Sequence, residues 1–238
     1  DLTPDRIAEF LYITKETQEF IKNVYVPDLL AVASFYKDWG GIGGTSNFLA
    51  WGDFPTTDKE PESLYMPRGV VMKQDLAGVK MANPSRVTEH VARAWYEGDN
   101  ALHPYEGETK PIQENPDYQP GDGMYSWFKA PRYDGEPCEV GPLARTLVAY
   151  AKGHEGIVGT VNHVIKTLGI EPKHLFSTLG RTAARGIEAL VIGEATQGWV
   201  MELVENLKSG DTATYERYEM PDSGMGVGLN DVPRGALG

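Results

Sequence analysis

The run 172–208 constrains this chain most. Leu175, Leu179, Ile187, Leu190, Val191, Val200, Leu203, Val204 and Leu207 recur at three- and four-residue spacing, which predicts one long helix with an apolar core face. Two shorter helical pieces precede it. Leu143, Leu147 and Tyr150 form a stripe that begins at Pro142 and closes at Gly153, and a second piece covers 158–168. At the other end, 3–38 also reads as helix: Ile7, Phe10 and Leu11, then Phe20, Ile21 and Val24, with Thr14 and Thr17 between them. Thr3-Pro4 is a start signal, a capping side chain before a proline at the first helical position. Pro27 removes a backbone donor in mid-run and predicts two consecutive helices or one bent helix.

Between these helices, 40–135 has a different texture. Gly and Pro recur every few residues; 47–52 and 69–73 read as short strands and 87–97 as a short helix. The aromatics Trp95, Tyr96, Tyr105, Tyr118, Tyr125, Trp127 and Phe128 predict that this stretch packs down on something. The expected architecture is mainly α, with long antiparallel helices in a bundle and an irregular, strand-containing insertion. Its parts are a helical 1–40, the insertion 41–135, a helical 136–210 and a turn-rich tail 211–238, all within one larger domain.

Composition narrows the function. The 238 residues carry 34 acids against 22 Lys and Arg, a net charge of -12, which disfavours binding to a phosphate backbone and argues against nucleic acid as a partner. A single cysteine, Cys138, excludes an internal disulfide, a CxxC redox pair and a cysteine-rich zinc site built from these residues alone. No apolar run is long enough to span a membrane. A start at Asp1 and an end just after VPRG lead to the expectation of an internal segment of a longer polypeptide.

Several motifs carry candidate chemistry. GGIGG (40–44) lacks the preceding strand and following helix of a dinucleotide loop and reads as a turn. Glu171 and His174 have the Glu-x-x-His spacing of di-iron bundles, but there is no second such pair. Pro172 makes Glu171 a solvated acid at a helix entrance. The five histidines show no paired metal-ligand spacing. Arg181, Arg185 and Glu188 share one helix face, so they form either a solvated ladder or, among the small residues Gly180, Thr182, Ala183, Ala184 and Gly186, a device for recognising a carboxylate or a neighbouring chain. Glu139 stands three residues before Pro142 and is read either as an acid offsetting the helix dipole or as a semi-buried carboxylate held by Lys129, Arg132 or Arg145. Arg145 itself is a puzzle, because the first turn of a helix disfavours a cation.

The strings YSWFKAPRYDGEPCEVGPLARTLVAYAKG (125–153), STLGRTAARGIEA (177–189), VENLKSGDTATY (204–215), NVYVPDLLAVASFYKDW (23–39), HPYEGETKP (103–111) and the final PRGALG resemble the middle of the large subunit of nickel-iron hydrogenases, the uptake type in particular. The resemblance runs in order along nearly the whole chain. It implies reversible oxidation of dihydrogen to protons and electrons, with electrons leaving through the clusters of an iron-sulfur small subunit and, through that partner, a membrane cytochrome b. It also implies a location on the periplasmic side of the cytoplasmic membrane.

In the family, four cysteines in two CxxC pairs hold nickel and an iron carrying CN and CO. Neither pair is present here, so the resemblance places no metal ligand and no catalytic residue on these residues. It implies that Glu139 contacts the waters of a magnesium or iron ion near the centre, with Arg145 as its neutralising partner and Lys129 and Arg132 as weaker ones. Arg181, Arg185 and Arg234 are left as structural or interface cations. Two other readings stay open: a metal-free scaffold related to the quinone-side subunit of complex I, and an interaction bundle without catalysis.

Overall fold

The computed structural model describes residues 3–57, 60, 62–98, 100–112, 123–213, 215 and 218–237. Tyr118 lies outside the described residues. Three helices build the core: α3 (Pro142–Ala151), α4 (Glu155–Leu168) and α5 (Thr178–Lys208). In α3 every side chain from Pro142 to Ala149 is buried. A helix that is covered on all sides needs partners on all sides. Leu143, Leu147 and Val148 meet Ile157, Val161, Val164 and Leu168 of α4, Ala184, Ile187 and Val191 of α5, and the Phe48, Met66 and Val71 side chains from short strands. Each such aliphatic side chain contributes about 1.5–3 kcal/mol by leaving water.

The predicted apolar face of α5 is buried only in its first half. Burial stops at Val191, and Leu203 is exposed. Gly169, in the left-handed conformation, ends α4 as a helix-terminating glycine does. The run predicted from Pro172 is divided: a short 3-10 turn (Pro172–Leu175) precedes Ser177, whose Oγ caps α5 by accepting from Gly180 N at 3.0 Å.

The N-terminal run keeps its helical course through proline. α1 (Pro4–Phe20) passes into a π-helical turn (Ile21–Tyr25) and then α2 (Val26–Ala33). Pro27 has no N–H to give to the carbonyl four residues back, and its ring would collide with that carbonyl; one widened turn, with Val26 N bonded to Ile21 O, relieves both. α1 and α2 lie on α5. Gly186 lets α2 approach, since a Cβ there would stand 2.8 Å from Leu29 Cδ1.

The insertion is held by antiparallel pairs: β1 (Phe48–Ala50) with β4 (Gly69–Val71), β2 (Asp53–Pro55) with β3 (Leu64–Met66), and β5 (Val87–His90) with β6 (Ala130–Tyr133). β1 and β4 confirm the two expected strands. The helix expected at 87–97 is not formed. Val87, Thr88, Glu89 and His90 pair residue for residue with Tyr133, Arg132, Pro131 and Ala130, and this long-range ladder overrides the local helical pattern. The aromatic stretch packs only in part: Trp95 and Tyr96 meet the Trp127 ring, whereas Tyr125 and Phe128 are exposed. A hairpin of β7 (Asn230–Val232) and β8 (Gly235–Leu237) ends the described chain. Among the described residues no helix is long and apolar enough to cross a membrane.

One cap is sensitive to acid. His154 precedes α4, and its ring Nδ1 accepts from Ile157 N at 3.3 Å, which requires an unprotonated Nδ1. Its ring meets Tyr65 edge-on at 4.7 Å. Burial pushes the His154 pKa below its ordinary 6.5, against smaller upward effects of a backbone hydrogen bond and of Glu155. The unfolded chain therefore takes the proton first as pH falls. The contribution of the cap, about 1 kcal/mol, is complete above the unfolded pKa and is lost as pH drops through it towards the folded value. Urea unfolding should show this loss of stability on the acid side, and His154→Asn, which keeps an acceptor without titrating there, should remove it.

Candidate functional site

Glu139 is fixed before its side chain makes any contact. Its N–H donates to Asn47 O at 2.8 Å, and its carbonyl accepts from Leu49 N at 2.9 Å, so the residue lies as an added parallel partner along β1. Asn47, itself buried, ties the same region together by donating to Pro137 O and accepting from Lys73 N. The carboxylate then points to the first turns of α5.

Arg181 meets it with a fork, Nε to Oε1 at 2.6 Å and Nη2 to Oε2 at 2.7 Å, and the Thr45 hydroxyl donates to Oε2 at 2.5 Å. The Glu139 side chain is 14% exposed and that of Arg181 28%, so the pair sits at the edge of the core. Hydrogen bonding to Glu139 holds the Arg181 guanidinium above its ordinary pKa, against the opposing effect of burial. A carboxylate offers about four acceptor positions. Among the described residues, Arg181 and Thr45 occupy three of them, and the one left is on Oε1.

The glycine loop makes this approach feasible. Gly43 has φ +70, and any Cβ on it would run into Thr178 Oγ1 with Arg181 Nη1 only 3.5 Å away; a Cβ on Gly44 would be 2.6 Å from Phe176 O. GGIGG thus runs from the end of a 3-10 turn (Lys37–Gly41) into a loop pressed onto the N-terminus of α5, where Thr178 N donates to Ile42 O at 3.0 Å.

Arg145 belongs to a different network. Its Nε and Nη2 bind Glu188 at 2.5 and 2.9 Å, its Nη1 donates to Val232 O at 2.8 Å, and Nη2 also reaches Pro233 O at 3.2 Å. Burial opposes the charge on Arg145, but Glu188, with the nearby Asp231 and Asp53, outweighs it and holds the guanidinium protonated. Asp231, 6% exposed, accepts from Trp51 N at 3.3 Å and Gly52 N at 2.8 Å. Burial raises its pKa, while those two bonds and Arg145 pull it down.

The expected partners of Glu139 are therefore corrected. Arg145 lies on α3 facing Glu188. Lys129 reaches Glu89 and Thr109 at 2.8 Å each, and Arg132 reaches Gly135 O at 3.3 Å. None of the three holds Glu139. Of the two readings of the α5 trio, carboxylate recognition is the one found: Arg181 takes Glu139, Glu188 takes Arg145, and exposed Arg185 donates back to Arg181 O. Arg234 is exposed in the β7–β8 turn. Glu171 is a solvated acid, as expected, paired with Lys173. Thr45 and Asp231 were not singled out from sequence. Thr45 is an ordinary polar residue after a glycine turn, and Asp231 lies some 180 positions from the amides it binds, so neither left a local signal.

The nickel-dependent hydrogenase family model matches residues 1–238. Among curated relatives, the uptake hydrogenase large subunit of Rhizobium leguminosarum bv. viciae is 38% identical over 98% of this chain and 43% of its own length. The hydrogenase-1 large chain of Escherichia coli (strain K12) is 39% identical over 95% of this chain and 42% of its own. A solved [NiFeSe]-hydrogenase of Dm. baculatum superposes with a TM-score of 0.79 at 30% identity, covering 99% of this chain and 46% of that one. The chain thus spans less than half the length of the relatives it matches. These matches lend no support to the complex I scaffold. By the full-length family match and by identity to large subunits along nearly all of its residues, this chain belongs to the nickel-dependent hydrogenase family.

Proposed function

We propose that this chain forms the central part of the catalytic subunit of a nickel-iron hydrogenase, oxidising dihydrogen reversibly with an iron-sulfur small subunit as partner. Helices α1 to α5 are read as part of one antiparallel bundle, and 41–135 as an insertion on it. Electron transfer through the partner's clusters to a membrane cytochrome b, on the periplasmic side of the membrane, follows from the uptake-type likeness.

The residues present do not fit direct ligation of the nickel-iron unit. Cys138 is the only cysteine, and burial, then the charges of Asp134 and Glu136, push its thiol up to about 11, far from the thiolate that binds metal. Among the described residues no group of three or more His, Cys, Asp and Glu is placed to hold a metal ion. No step is derived through that centre. What these residues offer is a rigid surround.

The observation that carries the reading is the Glu139 clamp. A carboxylate with three donors on it and one lone pair left is held in a single orientation and accepts one further donor. A water of a nearby hydrated magnesium or iron ion, its CN- and CO-bearing neighbour being held by cysteines from elsewhere in the subunit, is the donor proposed here. The Arg181 fork fixes the direction of the Glu139 carboxylate, so that it would orient such a water.

The test uses the complete large subunit assembled with its small partner. Hydrogen-dependent dye reduction should fall by about 10–100-fold in Glu139→Gln, the range for losing a residue that orients the shell of a metal. Glu202→Gln, at an exposed site on α5, should stay within about twofold. Nickel content and thermal midpoint are measured alongside, and equal activity in the two variants would rule out the role.

A further inference from the structure

The Arg145 network is not accounted for by the proposed role of Glu139, yet it encloses that residue. Glu139 is laddered to β1, and just past the end of β1 the amides of Trp51 and Gly52 are both held by Asp231 on β7. On the other side, two residues after Glu139, Gly141 takes φ +96 with its Cα packed under the turn; a Cβ there would stand 2.7 Å from Arg234 O. The β7–β8 hairpin therefore brackets the Glu139 segment from both ends, through Asp231 and through the Arg234 carbonyl.

Only a hairpin in a fixed place can do this, and a two-stranded hairpin alone is marginal in water. Among the described residues, the side chain that bonds the carbonyls of its turn is Arg145, with Val232 O and Pro233 O on one edge of the guanidinium and Glu188 on the other. This use answers why a cation stands in the first turns of α3. A planar fork supplies the four bonds made here, to two carbonyls and to both oxygens of a carboxylate, whereas a lysine ammonium has three donors.

The geometry points to Arg145 as a positioning residue: by pinning the Val232-Pro233 turn against Gly141 it sets the direction in which Glu139 presents its free Oε1 lone pair. The proposal rests on the reading of Glu139 given above. The Arg145 side chain bonds the hairpin and Glu188 rather than Glu139, and acts through the hairpin.

The complete subunit with its partner provides the test, as a double-mutant cycle of Arg145→Lys and Glu139→Gln read by kcat, together with hydrogen exchange of segment 230–237. Arg145→Lys should lower kcat by roughly 10–100-fold, the cost of a misplacement near 1 Å, and speed exchange in 230–237 while the amides of α4 are unchanged. In the Glu139→Gln background the same change should cost no more than about twofold, because the group it orients is gone. Gly141→Ala, which presses on the Arg234 carbonyl and strains the backbone at φ +96, should reproduce both effects while leaving the Arg145 side chain in place. Where Arg145→Lys does not assemble, Glu188→Gln takes its place, removing the charge that orients the fork. An Arg145→Lys loss that is the same size in both backgrounds, or unchanged exchange in 230–237, would overturn the proposal while leaving the role of Glu139 intact. A Glu139→Gln enzyme of normal activity would sink both.

Discussion

Replacing Gly180 by alanine is expected to destabilise the protein by about 3 kcal/mol or more, the upper range for a forced overpacking, although alanine is the better helix former by about 1 kcal/mol. The reason is one carbonyl. Leu175 ends the 3-10 turn, the chain reverses through Phe176 and Ser177, and the Leu175 backbone lies directly over the first turn of α5. A Cβ on Gly180 would fall far inside contact with Leu175 O and 2.6 Å from Leu175 C. Backbone cannot swing aside as a side-chain end can. Arg181 is the next residue, so the same displacement should draw its fork away from Glu139. Gly198 in the same helix is the control: a Cβ there meets nothing within 4 Å, and Gly198→Ala should stabilise by about 0.5–1 kcal/mol. Urea unfolding of the two variants should move in opposite directions.

Arg145→Met is expected to cost about 3–5 kcal/mol, the range for breaking a buried ion pair from one side, or roughly 10 °C in thermal midpoint at a few degrees per kcal/mol. The Arg145 side chain is 7% exposed and that of Glu188 18%; methionine would leave that carboxylate and two turn carbonyls without their donor. The loss should depend on pH. Asp231 already has a folded pKa above its ordinary 3.8 because it is buried, and Arg145 is one of the groups pulling it down. Removing Arg145 raises it further. Since the folded state then holds the proton more tightly than the unfolded one, the cost of the bare charge is full above the folded pKa and is relieved as pH falls through it. The gap between Arg145→Met and the parent protein should therefore narrow on mild acidification. A gap that stays constant or widens would show that the lost hydrogen bonds, not the uncompensated acids, dominate.

These two variants also mark where local sequence stops being informative. The helices α3, α4 and α5 are legible as pieces at 142–153, 158–168 and 172–208, because proline and glycine punctuate an apolar period of three to four, though α4 starts earlier and α5 later than that spacing says. The strands β1 and β4 were legible as short apolar runs between turns. The segment 87–97 reads locally as a helix, yet its first four residues form a strand because their pairing partner is Ala130–Tyr133, some 40 positions on. From sequence, Glu139 reads either as an acid offsetting the helix dipole or as a semi-buried carboxylate held by Lys129, Arg132 or Arg145. The partner is Arg181, 42 positions away, and the arginine nearest in sequence within the following helix pairs with Glu188 instead.

The sequence by itself determined that the long helices lie before residue 40 and after Pro142, which family the motifs resemble, and that one cysteine cannot form a nickel ligand set. Those are properties of local spacing and composition. Tertiary structure alone decided which charge meets which, because the fork of an arginine selects a carboxylate by direction and reach. It was the packing of α3 and α5, the glycine loop at 40–44 and the closing hairpin that put Glu139 with Arg181 and Thr45, and Arg145 with Glu188 and two carbonyls.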